Sequence, residues 1–254
     1  MIITLSPAKK LDTSKPDPAI AHSLPRQSEQ TQALLTILKG ISANDLAKLM
    51  KISEALSNLN YERFQNVSMP FNLENAKQSV LMFQGDTYVG LNAGTMTPEQ
   101  LNQAQKRLRI LSGFYGLLRP LDLMQPYRLE MGTRLQNPQG KNLYAFWGDT
   151  ITDLINADLA QQQSPVLINL ASIEYFKSVQ VKRLKGDLIT PVFKEIRNGV
   201  PKVIGLLAKR ARGMMARYIL DQDLQSPEGL RDFSQDGYLY QPDLSDTQNW
   251  VFTR

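Results

Sequence analysis

Cysteine is absent from this chain of 254 residues, and histidine occurs once, at His22. Without thiols there is no disulfide framework, and a chain of this length needs none, because it buries roughly three quarters of its unfolded surface on folding. Zinc, haem and iron–sulfur centres draw on Cys and His, so no metal site of that kind and no cofactor are expected. Only an all-carboxylate site stays open. No apolar run approaches the ~20 residues of a membrane-spanning helix, and the opening MIITLSPAKKLD has no leader-like apolar region. A cytoplasmic protein without membrane association is expected. There is no P-loop, and GLNAG at 90–94 is too short a match for a dinucleotide fingerprint. Neither internal repeats nor a linker-like change of composition divides the chain, so residues 1–254 read as a single compact domain and a monomer.

What is present is ordinary globular material, 42% hydrophobic and 21% charged, with an uneven charge distribution. Between Lys177 and Arg217 stand eleven Lys or Arg and two acids, Asp187 and Glu195. The net charge of +5 is therefore +9 within that segment and −4 outside it. Concentrated basic character suits a surface that meets a polyanion, although solvated basic strips are also common.

Periodicity gives a coarse element order. MIITL and VLINLAS (166–172) read as buried strands, and VLMF (80–83) as a strand that GDTYVG continues after a turn. Residues 12–28 form an extended excursion, and 29–65 are helical pieces broken near Gly40 and Asn58. Thr97-Pro98-Glu99-Gln100 is a capping box with proline at the first helical position, opening a helix to about Leu108. Residues 146–163 have helical spacing, and 187–193 pair with 201–207 around Asn198-Gly199. Strands and helices mix without strict alternation, so the expected class is α+β, an irregular mixed sheet surrounded by helices.

Two helical segments carry phosphate-binding patterns. In the helix expected near 206–220, Leu207, Ala208, Ala211, Met214, Met215, Tyr218 and Ile219 share one face. Lys209, Arg210, Arg212 and Arg217 share the other with Gly213, and no acid interrupts them. Solvated helix faces usually mix signs, which favours a phosphate-facing surface. In residues 34–52, LLTILKGISANDLAKLMKI, two short helices flank Lys39-Gly40-Ile41-Ser42. This resembles a helix-hairpin-helix module, whose backbone N–H groups and helix N-terminus take a DNA phosphate. Ser42 stands where the module has its second glycine, and an ordinary helical hairpin fits the stretch equally. Ser6-Pro7-Ala8-Lys9 has serine-hydrolase spacing but lacks the companion motifs.

Residues 111–132, LSGFYGLLRPLDLMQPYRLEMG, set Arg119, Asp122, Arg128 and Glu130 among apolar side chains. Charges in such a setting are either paired or form a pocket wall, and each arginine can grip an anion bidentately. Ser6, Ser112, Tyr115, Trp147, Asn169, Ser172 and Tyr175 are further candidate cleft residues, with Lys9, Glu130 and Asp149 as candidate acids or bases.

SPAKKLD, LSGFYGLLRPLDLMQPYRLEMG, LYAFWGD, INLASIEYFKSV and AKRARGMMARYI, in that order along the chain, resemble the YaaA family of bacterial peroxide-stress proteins. The resemblance spans essentially the whole chain. It implies a cytosolic protein induced with the peroxide response, which limits free iron and protects DNA and protein. It also implies DNA binding, a helix-hairpin-helix element and a mixed fold with a positively charged cleft. Two functional readings follow. In one, Lys39, Gly40, Ser42, Lys209, Arg210, Arg212 and Arg217 hold double-stranded and branched DNA without sequence preference. In the other, a cleft lined by 111–132, 147–149 and 169–175 serves an enzyme acting on a small anionic substrate.

Overall fold

Apolar runs with little polar alternation build the centre of the molecule, as parallel strands covered on both faces do. The computed structural model describes residues 1–254. Strand β1 (Ile2–Leu5) is followed by the short β2 (Lys10–Leu11) and an extended excursion. Helices α1 (Ser28–Lys39), α2 (Ala43–Met50) and α3 (Glu54–Asn66) come next. After β3 (Lys77–Gln78), α4 (Ser79–Met82) and β4 (Phe83–Gln84), helix α5 covers Asp86–Leu91 and α6 covers Pro98–Arg107. Strands β5 (Leu108–Ser112), β6 (Gly116–Leu118) and β7 (Leu123–Met124) precede α7 (Leu143–Trp147) and α8 (Thr150–Leu159). The chain ends with β8 (Val166–Asn169), α9 (Ile173–Phe176), β9 (Asp187–Arg197), β10 (Val200–Lys202), α10 (Gly205–Asp221), β11 (Leu239–Tyr240) and β12 (Asn249–Thr253).

The main sheet runs β11-β12-β9-β8-β1-β5-β6, with β10 paired to β9. Its five central strands, β12 to β5, are parallel, and β11, β6 and β10 are antiparallel additions. The mixed sheet among helices is the architecture expected. One apolar core unites residues from Met1 to Phe252. No helix is long and apolar enough to cross a membrane.

Strand order locates the opening that matters. From β1 the chain returns to β5 on one side, then to β8 on the other. At such a reversal the connections leave the strand ends in opposite directions, and a crevice opens outside the carboxyl ends. Ser6 follows β1 and Leu170 to Ser172 follow β8, so both turns feed this crevice.

Several expected elements differ from those found. VLMF is a single helical turn entering the two-residue β4, and GDTYVG forms α5. Buried Tyr88 and Leu91 recur at helical spacing, whereas a short apolar run by itself does not separate strand from helix. The second break in 29–65 falls at Lys51, left-handed at φ 53°, where Ser53 caps α3; Asn58 lies inside that helix. The helix expected over 146–163 divides at Gly148, whose φ of 47° favours glycine. The Thr97 capping box forms as expected. Asn198 and Gly199 turn β9 into β10 with φ of 51° and 76°, the two positive values of a type I′ hairpin.

Candidate ligand cleft and basic rim

Side chains from five segments line a cavity of about 630 Å³ at the carboxyl edge, within the size range of small-molecule sites. Its floor comes from the turns after β1 and β8. Ser172 N–H donates to Ser6 Oγ at 2.8 Å, and the two hydroxyls are 3.3 Å apart. Tyr88 OH donates to the Ser6 carbonyl at 3.0 Å, tying α5 to the same turn.

One wall is Tyr127 to Glu130. Tyr127 OH is held by Ser112 Oγ at 2.6 Å, and burial raises its pKa, as it does those of Tyr88 and Tyr175. These phenols are neutral and present ring surface to the cavity. Lys9 Nζ approaches Glu130 Oε1 at 2.5 Å, an ion pair without hydrogen-bond geometry, and Arg128 Nη2 stands 3.6 Å from the same oxygen. Arg128 Nε is buried and has no hydrogen-bond partner.

The facing wall is made where α5 and α10 cross. Lys209 and Arg212 of α10 line the cavity beside Gly85 to Thr87. Arg212 is half-buried, makes no ion pair, and has its pKa lowered by desolvation. Lys10 also faces the cavity unpaired. With Lys9 and Arg128, five cations line the cleft against three carboxylates, Asp86, Glu130 and Glu174.

Some expected cleft residues support the walls from behind. Ser112 and Tyr115 are fully buried, and Tyr115 OH donates to the Gln125 carbonyl at 3.1 Å. Trp147 donates Nε1–H to the Gly113 carbonyl at 3.0 Å and lies over Gly116. Asn169 shapes the turn after β8 by accepting Ala171 N–H at 3.0 Å. Arg119 and Asp122 do pair, at 2.9 Å, but Arg119 also donates to the Leu24 carbonyl and Asp122 accepts from Ser23. That pair fastens the excursion and lies off the cleft. Asp149 is exposed and paired with Arg183 at 3.0 Å, away from the other candidates.

The nucleic-acid candidates separate in space. On α10, Lys209 and Arg210 are exposed. Gly213 is buried against α5, and Arg217 is bound by Asp221 at 2.8 Å and by the Asn92 carbonyl at 3.0 Å. The expected four-cation solvent face is therefore a pair, with Arg212 turned into the cleft. At the 34–52 hairpin, Gly40 N–H is used by the Ile37 carbonyl at 3.1 Å. Ser42 caps α2 through Asp45 N–H at 3.2 Å and donates to Asp45 Oδ2 at 2.7 Å. A carboxylate thus occupies the helix N-terminus beside Lys39-Gly40. None of residues 28–66 lines the cleft.

Sequence reasoning missed Lys10, Asp86, Thr87 and Tyr88 as cleft residues, while Ile173 and Glu174 fall within the expected 169–175 range without having been singled out. Lys10 adjoins a named lysine. Asp86 to Tyr88 were hidden by the strand reading of GDTYVG.

Two other exposed cations stand on the β9–β10 hairpin that precedes α10. In the β9–β10 ladder Lys202 pairs with Glu195 and Val200 with Arg197, so Arg197 and Lys202 share the Glu195 face. Glu195 itself is engaged by Arg254 at 3.0 Å and Tyr238 at 2.5 Å. Arg197, Lys202, Lys209 and Arg210 are all exposed, and none makes an ion pair.

Comparison with known proteins places these features in context. A family profile described as peroxide stress protein YaaA matches residues 1–244. A UPF0246 protein of Magnetococcus marinus is 56% identical over 254 residues, covering 100% of this chain and 99% of its own. UPF0246 proteins of Hahella chejuensis and Shewanella oneidensis are 51% and 50% identical over the same span, each covered to 99%.

Proposed function

The chain belongs to the YaaA family of peroxide stress proteins, and on that premise we propose that it binds double-stranded and branched DNA through its carboxyl edge. It would act in the cytoplasm as a monomer and protect DNA from peroxide-driven damage. The observation that carries this reading is a set of four exposed cations with no carboxylate partner, Arg197 and Lys202 on the β9–β10 hairpin and Lys209 and Arg210 on the α10 that follows it, which we take as one basic rim. Cations left unpaired on a surface are available to phosphates, and contacts of that kind give position without base readout. The cavity is too small for a duplex, so DNA would lie across its mouth. The Lys39-Gly40-Ser42 hairpin is left out of this interface because Asp45 sits where a phosphate would dock. Restraint of free iron, which the family resemblance implies, belongs to the proposal at the level of the cell. No group of three or more His, Cys, Asp or Glu is placed to hold a metal ion, and no residue is assigned to it.

The test is a salt series with duplex and four-way-junction DNA. Each neutralised phosphate contributes about −0.9 to the log–log slope, so a slope near −3 or steeper is expected. Binding that is flat between about 50 and 200 mM salt would sink the proposal.

A second reading concerns the cleft, which would bind a small anionic substrate. Arg212 favours it, because a half-buried guanidinium without a partner is costly unless an anion completes it.

A further inference from the structure

We infer that the cleft takes a phosphorylated ring compound of the nucleoside monophosphate class; this deepens the small-anion reading and is independent of DNA binding at the rim. The cavity has two chemically distinct walls. On the α5–α10 wall, Arg212 and Lys209 present unpaired cations. A planar guanidinium beside an ammonium suits a phosphate, which offers oxygens for both. The opposite side carries Glu130 and Glu174, acceptors for ring or sugar donors.

The lining also carries apolar side chains. Leu129 and Leu170 are among them, and Tyr88 and Tyr127 spend their hydroxyls on Ser6 and Ser112. Ile173 stands at the lip with 88% of its surface exposed, the most exposed of the large hydrophobic side chains. An aliphatic side chain at the lip, with Leu129, Leu170 and the tyrosines in the lining, gives a flat ring apolar contact that a bare anion does not use. At about 630 Å³ the cavity admits one such molecule.

Glu174 is fixed for this role. Its Oε1 accepts Gly132 N–H at 2.9 Å, and the carbonyl of the same residue accepts Tyr144 OH at 2.8 Å. Its second carboxylate oxygen has no partner in the protein. Glu130, already shared by Lys9 and Arg128, is the less available acceptor. Glu174 is therefore assigned to the ring or sugar.

Calorimetric titration of the full chain with nucleoside 5′-monophosphates, the parent nucleosides and inorganic phosphate tests the inference. At least one monophosphate should bind about tenfold or more tighter than its nucleoside and than inorganic phosphate. Arg212→Gln should bring the monophosphate down to the nucleoside's affinity. Ile173→Ser, at an exposed position whose side chain the fold does not use, should weaken the monophosphate and leave inorganic phosphate unchanged. Equal affinity for monophosphate and inorganic phosphate would overturn the ring assignment while leaving the small-anion reading intact. Absence of binding by all three classes to the folded protein would overturn both.

Discussion

Gly213 of α10 rests on the backbone of Thr87 in α5, so closely that a Cβ at position 213 would overlap the Thr87 carbonyl oxygen. The contact is reciprocal, since a Cβ at Gly90 would strike the Arg210 carbonyl. Two glycines, one on each helix, let the backbones meet. That crossing brings Arg212 and Lys209 to the cleft wall beside Asp86 and Thr87.

Gly213→Ala should therefore cost stability despite the higher helix propensity of alanine. Overpacking a close contact costs about 1–3 kcal/mol, more than the ~1 kcal/mol propensity gain. Gly205→Ala is the control, because nothing lies within 4 Å of a Cβ there. Thermal melts should show the first variant below the parent and the second at or above it. Equal melting of Gly213→Ala and the parent would mean that the helices separate without penalty.

Arg212 and Arg109 make an informative pair, both with pKa lowered by burial. Arg109 meets Asp158 at 2.5 Å, and Asp158 also receives Arg26. Arg212 has no counter-charge. Arg109→Met should lose roughly 3–5 kcal/mol, the usual result of breaking a buried pair. Arg212→Met should gain up to about 1 kcal/mol by removing an uncompensated, half-buried charge, while losing ligand binding. Chemical denaturation of the two variants checks the signs. A destabilised Arg212→Met would show that the guanidinium serves the fold.

Acid sensitivity should have a component at Asp12. Hydrogen bonding from Lys77, at 2.8 Å, and from Ser14 lowers its pKa to about 2 from 3.8. The folded value lies below the unfolded one, so this stability is fully present above about pH 4 and is lost as pH falls towards 2. Asp12 is partly exposed, which screens the pair and holds the effect to about 1 kcal/mol or less. Melting temperature measured against pH for the parent and Asp12→Asn should converge at low pH and separate above pH 4. Parallel curves would place the acid sensitivity elsewhere.

Much of the fold was legible because its determinants are local. The Thr97 capping box, the Asn198-Gly199 turn and the apolar runs of β1 and β8 each depend on residues within a few positions. Arg128 and Glu130 were legible as a paired, cleft-facing couple because charges amid apolar residues have few other uses. Arg119 and Asp122 obeyed the same rule with a structural outcome, because their further partners, Leu24 and Ser23, lie about a hundred positions away in the chain. Helical spacing placed Arg212 and Arg217 on one polar face. It could not show that α5 crosses that face at Gly213, sending Arg212 into the cleft and Arg217 onto Asn92. Such crossings are set by tertiary contacts that no window of one helix contains.

The proposed DNA binding has two candidate surfaces, the basic rim and the 34–52 hairpin, and two variants separate them. The first reverses Arg197, Lys202 and Arg210 to glutamate. All three are exposed, lack ion pairs and lie outside the cleft lining, so the fold and the cleft should be unaffected. Removing three phosphate contacts should lower the salt slope by about 2.7 and weaken duplex binding by well over tenfold. The second variant is Gly40→Val. A Cβ at Gly40 meets the Ile37 carbonyl at 3.4 Å and the Thr36 carbonyl at 3.9 Å, both ordinary contacts, so the hairpin has room for a side chain. Asp45 already satisfies the Ser42 hydroxyl and occupies the N-terminus of α2. Phosphate approach there would be repelled, and Gly40→Val should bind DNA within about twofold of the parent. Fluorescence anisotropy at several salt concentrations reads both variants. Should Gly40→Val lose binding while the triple reversal keeps it, the hairpin is the anchor and the rim assignment is wrong.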